Sequence, residues 1–276
     1  MKDLGILGSS GFIGNELSNL LHINGISFYG VSRKKFNNNF PNLVINNFEK
    51  IPHFKKIVFL AENNIISNAE NLGEDYIEES KIKVINAINA TEHSFIYASS
   101  ASIYESKNKK LLKTNDPLNL NSIYARSKKS CEEVVLKNGG TVIRISNVFG
   151  VGMSKKNLIS ELFRKIKLNK FQIKVRNKTS IRDYINVKDL SNLLLKVIEN
   201  PKHGIYNAGT SKGLSVEEIF NFLKKTLNKK DLKLVENNPL KSHSSIILDI
   251  ESTQNDYQWK PESNFFDSLK TIITQL

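Results

Sequence analysis

A short apolar run, Leu4-Gly-Ile-Leu7, leads directly into Gly8-Ser-Ser-Gly11-Phe-Ile-Gly14, and apolar residues then recur at positions 13, 17, 20 and 21. A short apolar run gives way, across a glycine turn, to a 3.6-residue period, so the stretch reads as strand, tight turn and helix. No other part of the chain limits the possible folds as much. The same alternation continues beyond it. Strands are expected over 26–31, 43–45, 56–60, 94–98 and 141–145, with helices over 72–90 and 121–137 and an Asn-rich loop over 33–42. Strands that alternate with helices form a parallel sheet covered on both faces, which makes the chain an α/β protein. Ligands of such sheets bind in the crevice at the carboxyl ends of the strands. Gly8, Ser100 and Asn147 fall at those ends.

After Gly150 the alternation loosens. Helices are expected over 158–168, from Asn186 as N-cap to Glu199, and after Ser215, which forms a capping-box pattern with Glu218. Asp189 falls in the first turn of the second of these, near its positive dipole end. Pro201-Lys-His-Gly204 closes that helix, and 265–276 reads as a last amphipathic helix. No internal repeat is present. The division expected is a nucleotide-binding domain over 1–148, using parts of 181–207 as well, and a smaller lobe made mainly of 149–276.

The chain's 276 residues, 39% of them hydrophobic, suffice for a full core. No window approaches the roughly 18 consecutive apolar residues of a membrane span. The start, Met1-Lys-Asp-Leu-Gly-Ile-Leu-Gly, is not expected to be a signal peptide, because its apolar run is short and Asp3 stands where a basic residue belongs. With Cys131 the single cysteine, no internal disulfide can form, and a reducing, cytoplasmic setting is expected. The net charge of +13 comes from lysines scattered along the whole chain. Without a basic block interleaved with aromatics it reads as solvated surface, and no nucleic-acid partner is expected. The five histidines show no metal-ligand spacing, so no metal is expected.

Three groups of residues carry chemistry. In the first, Gly8 permits a tight turn, Gly11 lets the backbone approach a pyrophosphate and Gly14 allows close helix–strand packing. The helix N-terminal amides then face the phosphates. The second is Gly30-Val-Ser-Arg33-Lys-Lys35, where dinucleotide folds place a carboxylate on the adenosine ribose. None is present here. Arg33, with Ser32, can instead accept a 2′-phosphate, which favours NADP(H) over NAD(H). The third group is Ser100, Tyr124 and Lys128. Tyr124 and Lys128 lie four apart in a helical stretch, about one turn from each other on one face. An ammonium beside a phenol favours the phenolate, so the tyrosine can exchange a proton with a sugar or alcohol oxygen. Ser100, 24 residues earlier, can hold that oxygen. Cys131 reads as a packed helix thiol. Arg182 offers a planar fork to a phosphate, and an internal pair with Asp183 or another carboxylate is the competing reading.

With these residues in place, the chain resembles the NAD-dependent epimerase/dehydratase family, the extended short-chain dehydrogenase/reductases that mostly act on nucleotide sugars. The similarity runs through Gly8 to Gly14, Phe59-Leu-Ala61, Ser99 to Tyr104, Tyr124 to Lys128, Arg144 to Gly150, Arg182 to Leu190, Tyr206-Asn207 and Trp259-Lys-Pro261. It implies a Rossmann-type sheet with a smaller C-terminal lobe for the substrate's nucleoside. Gly8, Ser10, Gly11, Phe12, Ile13 and Gly14 would line the cofactor together with Ser32, Arg33, Leu60 and Ala61. Tyr124 would be the acid/base and Lys128 its activator, also bonded to the nicotinamide ribose. Ser100 would hold the reacting oxygen, and Asn147 and Arg182 would meet the substrate diphosphate. A homodimer and a place in polysaccharide biosynthesis are further implications. Departures from the family narrow the chemistry. The 4,6-dehydratases carry Asp-Glu where Ala101 and Ser102 stand, and the GDP-fucose-forming epimerase/reductases carry a cysteine at Ser102. Reduction of a 4-keto sugar and 4-epimerisation remain, the first favoured by Arg33. Ser80 stands where relatives often have Asn, Val151 replaces Pro, and Asn238 stands where many sugar enzymes have a diphosphate-binding Arg. A relative without catalysis, acting as an interaction or RNA-binding protein, is the reading from another class. The intact Ser100, Tyr124 and Lys128 argue against it.

Overall fold

The structure is a computed structural model that describes residues 2–33, 40–62, 66–106, 110–168, 171–236 and 244–274. Lys34, Lys35 and Asn238 lie outside the described residues.

Seven strands form one sheet in the order Gly204–Ala208, Thr141–Ile145, Thr91–Ser100, Phe54–Phe59, Lys2–Leu7, Tyr29–Ser32, Asn42–Val44, and every neighbouring pair is parallel. Strand order reverses at Lys2–Leu7, the switch point where a crevice opens beyond the carboxyl ends. Successive side chains of a strand point to opposite faces, and the burial follows that rule. Ile6, Val58, Ile96 and Ile143 pack with Leu17, Leu21, Leu190 and Leu194 from helices Phe12–Ile23 and Val187–Glu199. Their neighbours Leu7, Ile57, Phe95 and Val142 pack on the other face with Val84, Cys131 and Val135, from helices Glu74–Asn89 and Ile123–Lys137. Each such side chain, fully buried, contributes about 1.5–3 kcal/mol. Two packed faces explain why these strands read as continuous apolar runs.

Most expected elements form close to their expected bounds. Asn186 caps Val187–Glu199, accepting from the Lys188 amide at 2.9 Å, and Ser215 and Glu218 form the reciprocal capping box of Val216–Thr226. The helix expected over 72–90 forms as Glu74–Asn89, and a short helix that was not expected, Ile66–Leu72, precedes it, the two separated at Gly73 with φ +60°.

A second sheet joins segments from distant parts of the chain. Ile181–Asn186 lies between antiparallel Gly213–Ser215 and parallel Ser245–Leu248, which pairs in turn with Leu111–Leu112, while Asn147–Phe149 pairs with the far end of Ile181–Asn186. Helices Leu158–Leu168, Val216–Thr226 and Phe265–Ile273 surround a separate apolar core built on Phe149, Phe163, Tyr184, Phe220 and Leu269. Asp183 knits this region together. Its buried carboxylate accepts from the Thr210 amide and hydroxyl and from the Ser211 and Leu248 amides. Burial nevertheless pushes its pKa up to about 6.

A buried ion pair crosses from helix Ile123–Lys137 to strand Thr141–Ile145. Arg144 donates to both oxygens of Glu132, at 2.9 and 2.7 Å, and to the Thr114 carbonyl at 2.9 Å. Ser99 donates to the same carboxylate at 2.6 Å, and the guanidinium stacks 4.9 Å from the Tyr104 ring centre. Both charged side chains are essentially inaccessible, at 2% and 0% exposure, so neither tolerates loss of the other. Arg144→Met should destabilise the fold by about 3–5 kcal/mol, and the double variant Glu132→Leu/Arg144→Met should recover most of that loss. Urea unfolding of both variants checks this. Equal destabilisation of the two would show that packing rather than charge pairing dominates.

Candidate active site

The site forms where the glycine turn meets the helix that carries Tyr124. Gly8 has φ +90°, and a Cβ there would stand 2.7 Å from the Leu60 carbonyl group. Its amide donates to Val31 at 2.8 Å and its carbonyl accepts from Gly11 at 2.9 Å, which folds the chain back on itself. A Cβ on Gly14 would collide with the Gly8 carbonyl oxygen, so the helix begins hard against the strand end. Gly11 caps that helix without a side-chain bond. The first-turn amides therefore keep their hydrogen-bonding capacity for a ligand.

Two cavities open from this turn. One, of about 330 Å³, is lined by Gly8, Ser10, Gly11, Ser32, Arg33, Phe48, Leu60, Ala61 and Glu62. The other, of about 670 Å³, is lined by Gly8, Gly11, Phe12, Ile13, Gly14, Leu60, Glu62, Ser100, Tyr124, Lys128, Ser146 and Asn147. They share Gly8, Gly11, Leu60 and Glu62 and so adjoin across the turn. The structure thus brings together every residue expected at the site except Arg182. In the smaller cavity Ser32 is buried and hydrogen-bonds Asn42 at 3.2 Å, whereas Arg33 is exposed at the rim.

Ser122 caps helix Ile123–Lys137 by accepting from the Ala125 amide at 3.1 Å, which sets Tyr124 and Lys128 on the buried face. Tyr124 is 6% and Lys128 3% exposed. The Lys128 ammonium lies 5.8 Å from the Tyr124 ring centre and 5.0 Å from that of Tyr97, and it donates to the Ala98 carbonyl at 2.9 Å. Its main partner is one that sequence reasoning missed: the Glu62 carboxylate, whose second oxygen accepts from the Tyr97 hydroxyl at 2.7 Å. Burial alone would lower the pKa of Lys128, but the Glu62 charge outweighs it and the value is raised. Burial, aided by the same carboxylate, pushes Tyr76 and Cys131 up to about 12. The available signal for Glu62 was its position, directly after Phe59-Leu-Ala61 at the carboxyl end of a strand.

Ser100 ends its strand and faces the larger cavity. Its hydroxyl accepts from the Ser102 amide at 3.2 Å and lies 2.9 Å from the Ser102 hydroxyl. Ser146, buried beside Asn147, has a hydroxyl without a partner among the described residues. Arg182 stands apart, in the second sheet. Its guanidinium donates to the Ile181 and Ser244 carbonyls at 2.7 and 3.1 Å and to the Ser244 hydroxyl at 2.9 Å. Asp183 bonds elsewhere, so the internal Arg182–Asp183 pair does not form. Among the described residues no carboxylate meets Arg182, and burial lowers its pKa. No group of three His, Cys, Asp or Glu side chains among the described residues could hold a metal. No described helix is long and apolar enough to cross a membrane.

A parallel sheet with its crevice at the switch point, a glycine turn and a Ser–Tyr–Lys set define a dinucleotide-dependent short-chain oxidoreductase architecture. The NAD dependent epimerase/dehydratase family profile matches residues 4–209, and the chain belongs to that family. It is 29% identical over 238 residues to the GDP-6-deoxy-D-talose 4-dehydrogenase of Aggregatibacter actinomycetemcomitans, covering 79% of this chain and 78% of that one. It is 25% identical to the dTDP-4-dehydro-6-deoxyglucose reductase of Escherichia coli, covering 83% and 75%. In fold it is similar to the UDP-glucose 4-epimerase of Thermotoga maritima solved with UDP-glucose, with a TM-score of 0.87, 19% identity and 99% and 97% of the two chains covered. RMD of Pseudomonas aeruginosa, solved with NADPH, superposes with a TM-score of 0.81 at 18% identity, over 99% of this chain and 98% of that one.

Proposed function

We propose that this protein is an NAD(P)-dependent oxidoreductase that reduces the 4-keto group of a nucleotide sugar. One observation carries the reading: Ser100, Tyr124 and Lys128 line a single cavity that adjoins the glycine-turn cavity. The residues present fit a dinucleotide. Side chains at Gly8 or Gly14 would fill the turn that must hug the pyrophosphate, and Arg33 stands at the rim of the adenosine-side cavity. NADP(H) is the favoured cofactor, and when bound it supplies the hydride.

The protein's own residues manage the proton and the sugar. Ser100 holds the C4 oxygen, and Tyr124 gives its proton to that oxygen as the carbonyl becomes an alcohol. Lys128 stabilises the phenolate left behind. Asn147, with the unpartnered Ser146 hydroxyl, offers hydrogen bonds within the same cavity. Arg182 binds the substrate diphosphate from the second sheet, and its lack of a carboxylate partner supports this role. The segment 149–276 then serves mainly as the substrate lobe. Ala101 and Ser102 leave no acid/base pair for 4,6-dehydration. A nucleotide-sugar 4-epimerase is the second reading, supported by 26% identity over 242 residues to a putative UDP-glucose 4-epimerase of Methanocaldococcus jannaschii, over 82% of this chain and 78% of that one.

Tyr124→Phe removes one hydroxyl, so cofactor affinity should survive while turnover on a 4-keto nucleotide sugar falls by about 10²–10⁴-fold. Stopped-flow oxidation of NADPH with a panel of such sugars measures it, and near-normal turnover would sink the reading. Arg33→Asp should reverse the preference for NADP(H) by about 10- to 100-fold, because a charge-assisted contact becomes a repulsion. Titration of both cofactors against both proteins tests that, and equal wild-type affinities would refute it. Arg182→Ala should weaken nucleoside-diphosphate binding in calorimetry far more than dinucleotide binding. Arg182→Lys should rescue little, since an ammonium lacks the planar fork.

A further inference from the structure

Glu62 is a carboxylate inside a site whose other functions are accounted for. It follows strand Phe54–Phe59 and borders both cavities. Its side chain is 8% exposed, and the Lys128 side chain that it meets is 4% exposed. Both oxygens accept from buried donors, the Lys128 ammonium and the Tyr97 hydroxyl, an arrangement that suits the ionised form. The groups facing this pair come from every packed element: Tyr97 and the Ala98 carbonyl from strand Thr91–Ser100, Tyr124 and Cys131 from Lys128's own helix, and Tyr76 from Glu74–Asn89. Lys83, at the rim of the smaller cavity, is paired with Glu79 at 3.3 Å. Tyr76, Tyr97 and Cys131 are neutral at working pH, because burial raises all three. Among the buried described groups around Tyr124 the full charges are therefore those of Glu62 and Lys128, while the exposed Lys156 also lines the larger cavity from its solvent side.

We propose that Glu62 is a positioning residue for the Tyr124–Lys128 pair, anchoring the ammonium and offsetting most of its charge towards the phenol. The inference rests on the reading of Tyr124 as the acid/base. A lone ammonium would draw the phenol strongly towards phenolate and leave it a poor proton donor. A bridged pair keeps the lysine charged and fixed on the Ala98 carbonyl, while its net field at Tyr124 is smaller than that of a lone ammonium. This tuning suits an enzyme whose committed direction needs a protonated tyrosine.

Glu62→Gln keeps the volume and the acceptor for Tyr97 but removes the charge. The alkaline limb of keto-sugar reduction should move to lower pH by about one to two units, the size of one charge at this range in a protein interior. A substrate-free readout accompanies it. The phenolate ultraviolet titration that disappears in Tyr124→Phe should move to lower pH by the same amount. The double variant Glu62→Gln/Lys128→Met carries no unpaired buried charge, so it folds even if Glu62→Gln does not. Its acid/base titration should stay within about half a unit of wild type, whereas Lys128→Met alone should move it up by about one to two units. A double variant that moves as far as Lys128→Met alone would overturn the proposal. So would turnover in Glu62→Gln with neither limb nor titration displaced. Displaced titrations without turnover on any keto sugar would instead sustain the role of Glu62 and remove the proposed reaction.

Discussion

The buried pair of Glu132 and Arg144 is the contact on which the site's geometry depends. Tyr124, Lys128 and Glu132 are spaced four apart on one face of a single helix. Glu132 binds Arg144 on the adjoining strand and Ser99 on the next, the residue beside Ser100. One carboxylate therefore fixes the register between the helix carrying the phenol and the strand carrying the serine. A charge at 0% exposure tolerates little displacement, because any movement leaves it unpaired in low dielectric. The network runs on through Tyr104, whose hydroxyl donates to Asn207 at 2.7 Å, to the backbone of Leu112 and Asp249. It thereby ties the first sheet to the second.

The second constraint is the glycine turn. Gly8 and Gly14 bring strand, turn and helix within backbone contact, which leaves room for a ligand on the open side and none on the packed side. Arg144 and Lys128 show two uses of a buried cation. Arg144, with its planar fork, is spent entirely on internal bonds. Lys128 holds its partner Glu62 at the wall of the cavity, where the same charge is within reach of a phenol. Arg182 shows a third arrangement, a half-buried cation with carbonyl and hydroxyl partners only. Among the described residues no carboxylate meets it.

Much of the fold was legible because its signals are local. Leu4 to Leu7, the glycines and the spacing of Ile13, Leu17 and Leu21 specify strand, turn and helix within twenty residues. Asn186 and Ser215 mark helix starts through side-chain bonds to amides two or three residues away. The short helix Ile66–Leu72 was missed because seven residues carry too little periodicity to stand out. The competing pair of Arg182 with Asp183 is ruled out by geometry that spacing alone does not show. Adjacent residues on a strand point to opposite faces, so Asp183 cannot turn back to it.

The sequence alone determined the alternating elements, the α/β class, the glycine turn and the shared helix face of Tyr124 and Lys128, because each depends on periodicity or on spacing along one element. Only the tertiary structure decided that Glu62 meets Lys128, 66 positions away, that Asp183 serves the loop after Ala208, and that Leu111–Leu112 joins Ser245–Leu248. Those contacts arise from strand order and from which face of the sheet each element covers. Neither leaves a periodic trace in the chain, since a buried carboxylate and a solvated one are the same letter until the packing around them is known.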